Sequence, residues 1–112
     1  MRELLDDLIA TFNERAQTDA RLQEEIAGME RTIQLVTDRG VYHMALRGGR
    51  IGGLEEGKLE GADVTITCDE ETFRGLVEGR IPTFKAMALG KLKLKASLED
   101  ALRLRKLLSA RP

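Results

Sequence analysis

From Leu4 to Ala16 apolar side chains recur at intervals of three and four: Leu4, Leu5, Leu8, Ile9, Phe12 and Ala16, with Glu3, Asp6, Asp7, Glu14 and Arg15 elsewhere on the wheel. That period predicts an amphipathic cover helix ending near Gln17. Asn13 lies inside the pattern without breaking it. Thr18 or Asp19 then caps a shorter helix, with Leu22, Ile26 and Met29 as its apolar side and Gly28 as its stop. From Arg31 onward the pattern changes to strict alternation. Residues 31–37 and 40–47 read as two strands joined at Asp38-Arg39-Gly40, a tight hairpin signal. Their inward residues are Ile33 and Leu35 on the first and Tyr42, Met44 and Leu46 on the second. Gly48-Gly49 turns the chain into a short third strand over Arg50 to Leu54, where Gly52 and Gly53 mark a bulge or a close approach to the backbone. Glu55 to Gly61 is a polar loop.

Alternation resumes over 63–69, which puts Val64, Ile66 and Cys68 on one face and Thr65 and Thr67 on the other. Asp69 caps the next helix, Glu70 and Glu71 occupy its first turn where the macrodipole favours acids, Phe73, Leu76 and Val77 face inward, and Gly79 ends it. A short helix follows from Pro82 to Leu89, with Gly90 as its left-handed exit. In the last strand Leu92, Leu94 and Ala96 turn inward and Lys91, Lys93 and Lys95 outward, a pattern that also discourages edge pairing. Ser97 with Asp100 resembles a capping box opening a final helix with an apolar arc of Leu98, Ala101, Leu102, Leu104, Leu107 and Leu108. Together these faces predict an α+β two-layer domain over residues 1–112. It has about five mostly antiparallel strands covered on one side by about five helices.

Composition narrows the chemistry. The chain has 112 residues, enough for one core with little to spare. Its net charge of −1 gives no electrostatic case for nucleic acid. No apolar run approaches a membrane span and the acidic start is unlike a secretory signal, so a soluble, cytoplasmic protein is expected. With three Phe, one Tyr and no Trp, the core must be filled by aliphatic side chains and Met, which permits a cavity. Charge is uneven: residues 1–28 carry three basic and seven acidic groups, whereas residues 91–112 carry seven basic and two acidic. A basic face of this kind either is simply solvated or approaches an anionic membrane through Lys91, Lys93 and Lys95.

Several features resemble catalytic motifs and have plainer explanations. Arg47-Gly-Gly-Arg-Ile-Gly-Gly53 has a strand on both sides, whereas a phosphate loop leads into a helix, so a hairpin turn explains it better. His43 is the only histidine, which excludes clustered imidazole ligands, and alternation places it opposite Met44 on the solvent side. Cys68, the only cysteine, sits on an inner strand face as a small apolar group. Acidic residues occupy loops and first helical turns, and no Ser elbow, nucleotide motif or metal-ligand cluster is present. A non-enzymatic protein without cofactor is expected.

Ala62-Asp63-Val64-Thr65-Ile66, Leu76-Val77-Glu78-Gly79-Arg80, Ala86 four residues before Gly90-Lys-Leu-Lys-Leu-Lys95, and the Leu-rich helix after it resemble the sterol carrier protein 2 lipid-binding domain. The likeness is specific over about residues 62–108. Elsewhere it lies in the order of elements. Pro82 is one residue further from Gly90 than the family's proline, and Ala96-Ser97 replaces its usual glycine. The resemblance implies a tunnel between sheet and helices for a fatty acid, an acyl-CoA or a sterol-like molecule. Its expected lining is Phe12, Leu22 and Ile26 from the cover helices, Leu35, Tyr42, Met44, Leu46, Ile66, Leu92 and Leu94 from the sheet, and Phe84, Met87, Ala88 and Leu104 from the later helices. Gly79 and Gly90 would let the 84–88 segment act as a gate. The plain alternative for each side chain is core packing. The alternative for the whole chain is an accessory or dimerisation module of a lipid-pathway enzyme, monomeric or homodimeric, with no ligand of its own.

Overall fold

The computed structural model describes residues 1–102. The helices α1 (Arg2–Thr18) and α2 (Ala20–Ile26) precede a meander of β1 (Arg31–Thr37), β2 (Gly40–Arg47) and β3 (Arg50–Glu56). Then come β4 (Val64–Cys68), α3 (Glu70–Val77), α4 (Thr83–Ala88) and β5 (Leu92–Lys95). A last helix, α5, begins at Leu98. The five strands form one mixed sheet in the order β3-β2-β1-β4-β5. Three neighbouring pairs are antiparallel and the fourth, β1 with β4, is parallel. The sheet is mostly antiparallel, as expected, and the parallel pair arises where residues 57–63 carry the chain from β3 across to lie beside β1.

Local chemistry explains the element ends. Asp19 accepts from the backbone N–H groups of Arg21 and Leu22 and caps α2; Asp69 does the same for α3 through Thr72. Backbone hydrogen bonds from Leu22 and Thr72 hold these two carboxyls below their usual pKa. Asp63 is lowered the same way by the Thr32 N–H and joins the loop before β4 to β1. Gly53 has φ of 68° at the point where β3 slips one residue against β2, so the glycine pair in this strand is a bulge. Gly75 is buried under Ile81, where an added Cβ would lie 2.5 Å from Ile81 Cδ1; only glycine allows the chain after α3 to fold back so closely.

Inner-face residues run across the sheet in rows set by register. Met44 pairs with Ile33 and Ile33 with Val64; Tyr42 pairs with Leu35, Leu35 with Ile66 and Ile66 with Leu94. The outer face is less bare than alternation suggests. Gln34 is 7% exposed there because its side-chain oxygen accepts from the Leu59 N–H at 2.7 Å, so the loop after β3 covers part of that face. The start of α5 also differs from expectation: Leu98 and Leu102 are exposed while Asp100 is buried. The pull is electrostatic, since Arg31 Nε donates to Asp100 Oδ2 at 2.9 Å.

Helix α1 is tied to the open edge of β3 by side-chain hydrogen bonds. Asn13 Nδ2 donates to the Ile51 carbonyl at 2.8 Å, and the Ile51 N–H donates back to Asn13 Oδ1 at 2.7 Å. One amide side chain thus stands in for a neighbouring strand and occupies edge groups that would otherwise face water or another chain. A second tether, from Arg2 Nη2 to the Leu54 carbonyl at 3.1 Å, lies further along the same strand. Replacing Asn13 by Leu removes both bonds of the first tether and should lower unfolding free energy by about 2 kcal/mol in urea titrations. An unchanged midpoint would mean that the tether contributes nothing.

Candidate functional site

Buried side chains gather in two clusters rather than one. Leu5, Leu35, Tyr42, Cys68, Ala86 and Leu92 form the first; Ala16, Leu22, Ile26 and Leu46 form the second. Under α1, and drawing its wall from both clusters, lies a cavity of about 310 Å³. That is near the lower end of the volumes, about 300–1,000 Å³, in which proteins hold small molecules. Helix α1 supplies Leu5, Leu8, Ile9 and Phe12 to its wall. The sheet supplies Ile33, Leu35, Met44, Leu46, Ile51, Val64 and Ile66, and Phe73 closes the side nearest α3. Thr11, Arg15, Arg31 and Asp100 are the only polar side chains among its described lining. The hollow is partly open to solvent, since Ile9, Phe12, Ile33, Ile66 and Phe73 are only half-buried, and its apolar walls gain contacts when something fills it.

The residues expected to line a tunnel divide into four groups. Phe12, Leu35, Met44, Leu46 and Ile66 are on the cavity wall. Leu22, Ile26, Tyr42 and Leu92 are buried in the two clusters, and Leu94 is half-buried on the edge strand. Phe84, Met87 and Ala88 are exposed, at 65% and 40% for the first two, and do not reach the wall. The six-residue α4 can present only one narrow face inward. That face is Ala86, fully buried, whose carbonyl also accepts from the Lys91 N–H at 2.9 Å. Leu104 lies outside the described residues.

Among the wall residues outside the expected lining, two charged ones carry a signal in the sequence. Counting back by two from Leu35 and Ile33 puts Arg31 on the inner face, a charge at the end of an apolar row. The capping residue of α5 is Ser97, whose Oγ accepts from the Asp100 N–H at 3.1 Å, so the Asp100 carboxylate remains free to meet that arginine. Their ion pair raises the Arg31 pKa further, chiefly through the hydrogen bond to Asp100.

Other titratable groups have structural partners. His43 Nδ1 is 2.9 Å from the Gly57 carbonyl, so that nitrogen carries a proton, and Nε2 is 3.3 Å from Glu55 Oε2 on the outer face. Burial pushes the Cys68 thiol up to about 11, aided by Asp69 and Asp38, which leaves it protonated and inert. No described helix is long and apolar enough to cross a membrane.

Solved structures share this architecture. The palmitated sterol carrier protein SCP2L2 from Aedes aegypti superposes with a TM-score of 0.61 at 18% identity, covering 92% of each chain. The ubiquinone synthesis protein UbiJ-SCP2 gives 0.65 at 10% identity, covering 96% of this chain and 94% of that one. The inverting sec-alkylsulfatase Pisa1 from a Pseudomonas species gives 0.62 at 20% identity over 80% of this chain. This chain spans only 14% of the length of that enzyme. At such identities the likeness establishes the fold alone. Curated protein sequences give no match. The model of the SCP-2 sterol transfer family, by contrast, matches residues 9–109, nearly the whole chain, and the protein belongs to that family.

Proposed function

We propose that the protein is a non-catalytic lipid carrier and that the space under α1 holds the alkyl part of its cargo. The observation that carries this reading is the cavity itself: about 310 Å³ walled by apolar side chains from α1, the sheet and α3, in a member of a sterol transfer family. The palmitated state of the Aedes aegypti relative supports the same use. Such a site works by taking methylenes out of water. About ten of them contribute about 8 kcal/mol before ordering costs, so that ten buried methylenes alone give micromolar affinity at best. Because apolar contact is non-directional, the tail can vary among fatty acids, acyl-CoA and sterol-like molecules. Extension of the cavity into a tunnel belongs to this proposal as well.

Met44→Trp fills the middle of the wall. It should weaken displacement of a fluorescent fatty-acid probe by at least about tenfold, a change of about 1.4 kcal/mol, with unaltered circular dichroism. Equal probe binding in the variant would remove the cavity from the lipid site. The second reading, an accessory module of a lipid-pathway enzyme without its own ligand, is favoured by the occurrence of the same fold within the much longer Pisa1. Solvent extraction of purified protein followed by mass spectrometry separates the two, because only a carrier brings lipid with it.

Cargo exchange needs a membrane, and the exposed side of α4 and β5 suits one. Phe84, Met87 and Leu89 give α4 and its exit an exposed apolar tip, and Lys91, Lys93 and Lys95 project from the outer side of β5. Anionic headgroups attract such lysines by about 1 kcal/mol each near the surface, and the apolar tip gains from shallow insertion. Changing Lys91, Lys93 and Lys95 together to Glu should slow transfer to anionic vesicles several-fold and leave transfer to neutral vesicles unaffected. Equal rates to anionic vesicles would exclude this face as the docking surface.

A further inference from the structure

The hairpin tip between β2 and β3 carries a charge arrangement that the fold does not need. Arg47 and Arg50 are paired directly across the two strands, where like charges repel each other. Both are exposed, and neither has an ion pair or side-chain hydrogen bond among the described residues. The turn itself is made by Gly48 and Gly49, with φ of 58° and 76°, so it does not depend on the arginines. Register places the pair on the outer face of the sheet. Leu46 and Ile51, the next cross-strand pair, line the cavity on the inner face, and the pair after the turn alternates to the other side. Lys93 and Lys95 share that outer face at the opposite edge, since they pair with the outward Thr67 and Thr65. Three to four strand spacings, about 14–19 Å, separate the two groups. Lys58 lies in the loop that Gln34 holds against the middle of the same face. Of the acids in this region, Glu55 faces His43 and Asp63 accepts from Thr32, while Glu60 remains as an opposing charge. The helical side has the opposite sign, with Glu3, Asp6, Asp7 and Glu14 of α1 exposed.

We infer that the outer face of the sheet, from Lys93 and Lys95 at one edge to Arg47 and Arg50 at the other, lies flat on an anionic bilayer with α1 turned away from it. This rests on the docking proposal for α4 and β5 and widens the footprint from one edge to the whole face. Cations this far apart, with Thr65, Thr67, Ala45 and Gly52 between them, match a broad field of phosphates rather than one shaped partner. Guanidinium groups grip phosphate oxygens in pairs, so contact relieves the repulsion between Arg47 and Arg50. Docked in this way, the roof helix stays on the water side, with its acids away from the anionic surface.

The test measures partitioning of the full-length protein onto phosphatidylcholine vesicles containing about one-third phosphatidylglycerol and onto pure phosphatidylcholine, at about 0.1 M salt. Changing Arg47 and Arg50 together to Gln should weaken binding to the anionic vesicles about tenfold or more, at about fivefold for each cation near the surface, and leave the neutral vesicles unaffected. The same variant should unfold at an equal or higher temperature, because a cross-strand repulsion is gone. A lower unfolding temperature would make the pair structural and overturn the inference. Unchanged binding to anionic vesicles, while the Lys91, Lys93 and Lys95 change still slows transfer, would overturn the flat footprint and leave the edge reading intact. No effect of either set would overturn both. Arginine-dependent binding to soluble polyglutamate but not to anionic vesicles would give the face to an acidic protein instead.

Discussion

Helix α1 is tied along its length to the edge strand β3 and at its start to α3, where the Met1 amino group lies 3.6 Å from Glu70 Oε1, and the interior follows from these ties. Asn13 pairs both of its amide groups with Ile51 on the edge strand β3, and Arg2 holds the Leu54 carbonyl of the same strand. Hydrogen bonds have a fixed length near 2.9 Å and do not shorten to improve apolar contact elsewhere. The helix therefore takes its height from the sheet edge rather than from the middle of the sheet. Leu5 at one end and Ala16 at the other still reach the two buried clusters. Between them, above Ile33, Met44 and Val64, the layers do not meet.

A hollow of this kind is unfavourable in the empty protein. Its lining loses dispersion contacts, and removal of apolar volume from a core costs roughly 24 cal/mol per Å³ where surroundings cannot relax. The free energy lost in leaving it open returns when an alkyl chain enters, which couples cargo binding to stability. Polar groups set the limits of the hollow. Arg31 and Asp100 pair at the start of β1 and of α5, which puts a matched ion pair rather than a lone charge beside the apolar space.

Much of the architecture was legible because period and punctuation agree. The alternation from Arg31 to Thr37 and from Gly40 to Arg47 gives strands with those bounds, and Asp19, Asp69, Gly79 and Gly90 stop or start helices by ordinary capping. Leu35, Met44, Leu46 and Ile66 lie on the cavity wall because alternation decides which side of a strand faces in, and Phe12 because the helical period does. What was illegible depends on partners distant in sequence. Asn13 is a poor helix former whose value appears only when Ile51 is beside it, and Arg31 gains its role only with Asp100, sixty-nine positions later. The parallel pairing of β1 with β4 and the outward turn of Phe84 and Met87 likewise depend on where the connections after β3 and α3 lead, which local pattern does not encode.

Xenon shows directly whether the layers are kept apart, because it enters dry apolar voids without needing a chemical handle. Crystals of delipidated protein under xenon pressure should show an atom under α1, surrounded by Ile33, Met44, Val64 and Phe73. Side chains packed closely through that space, with no xenon between α1 and the sheet, would contradict the account.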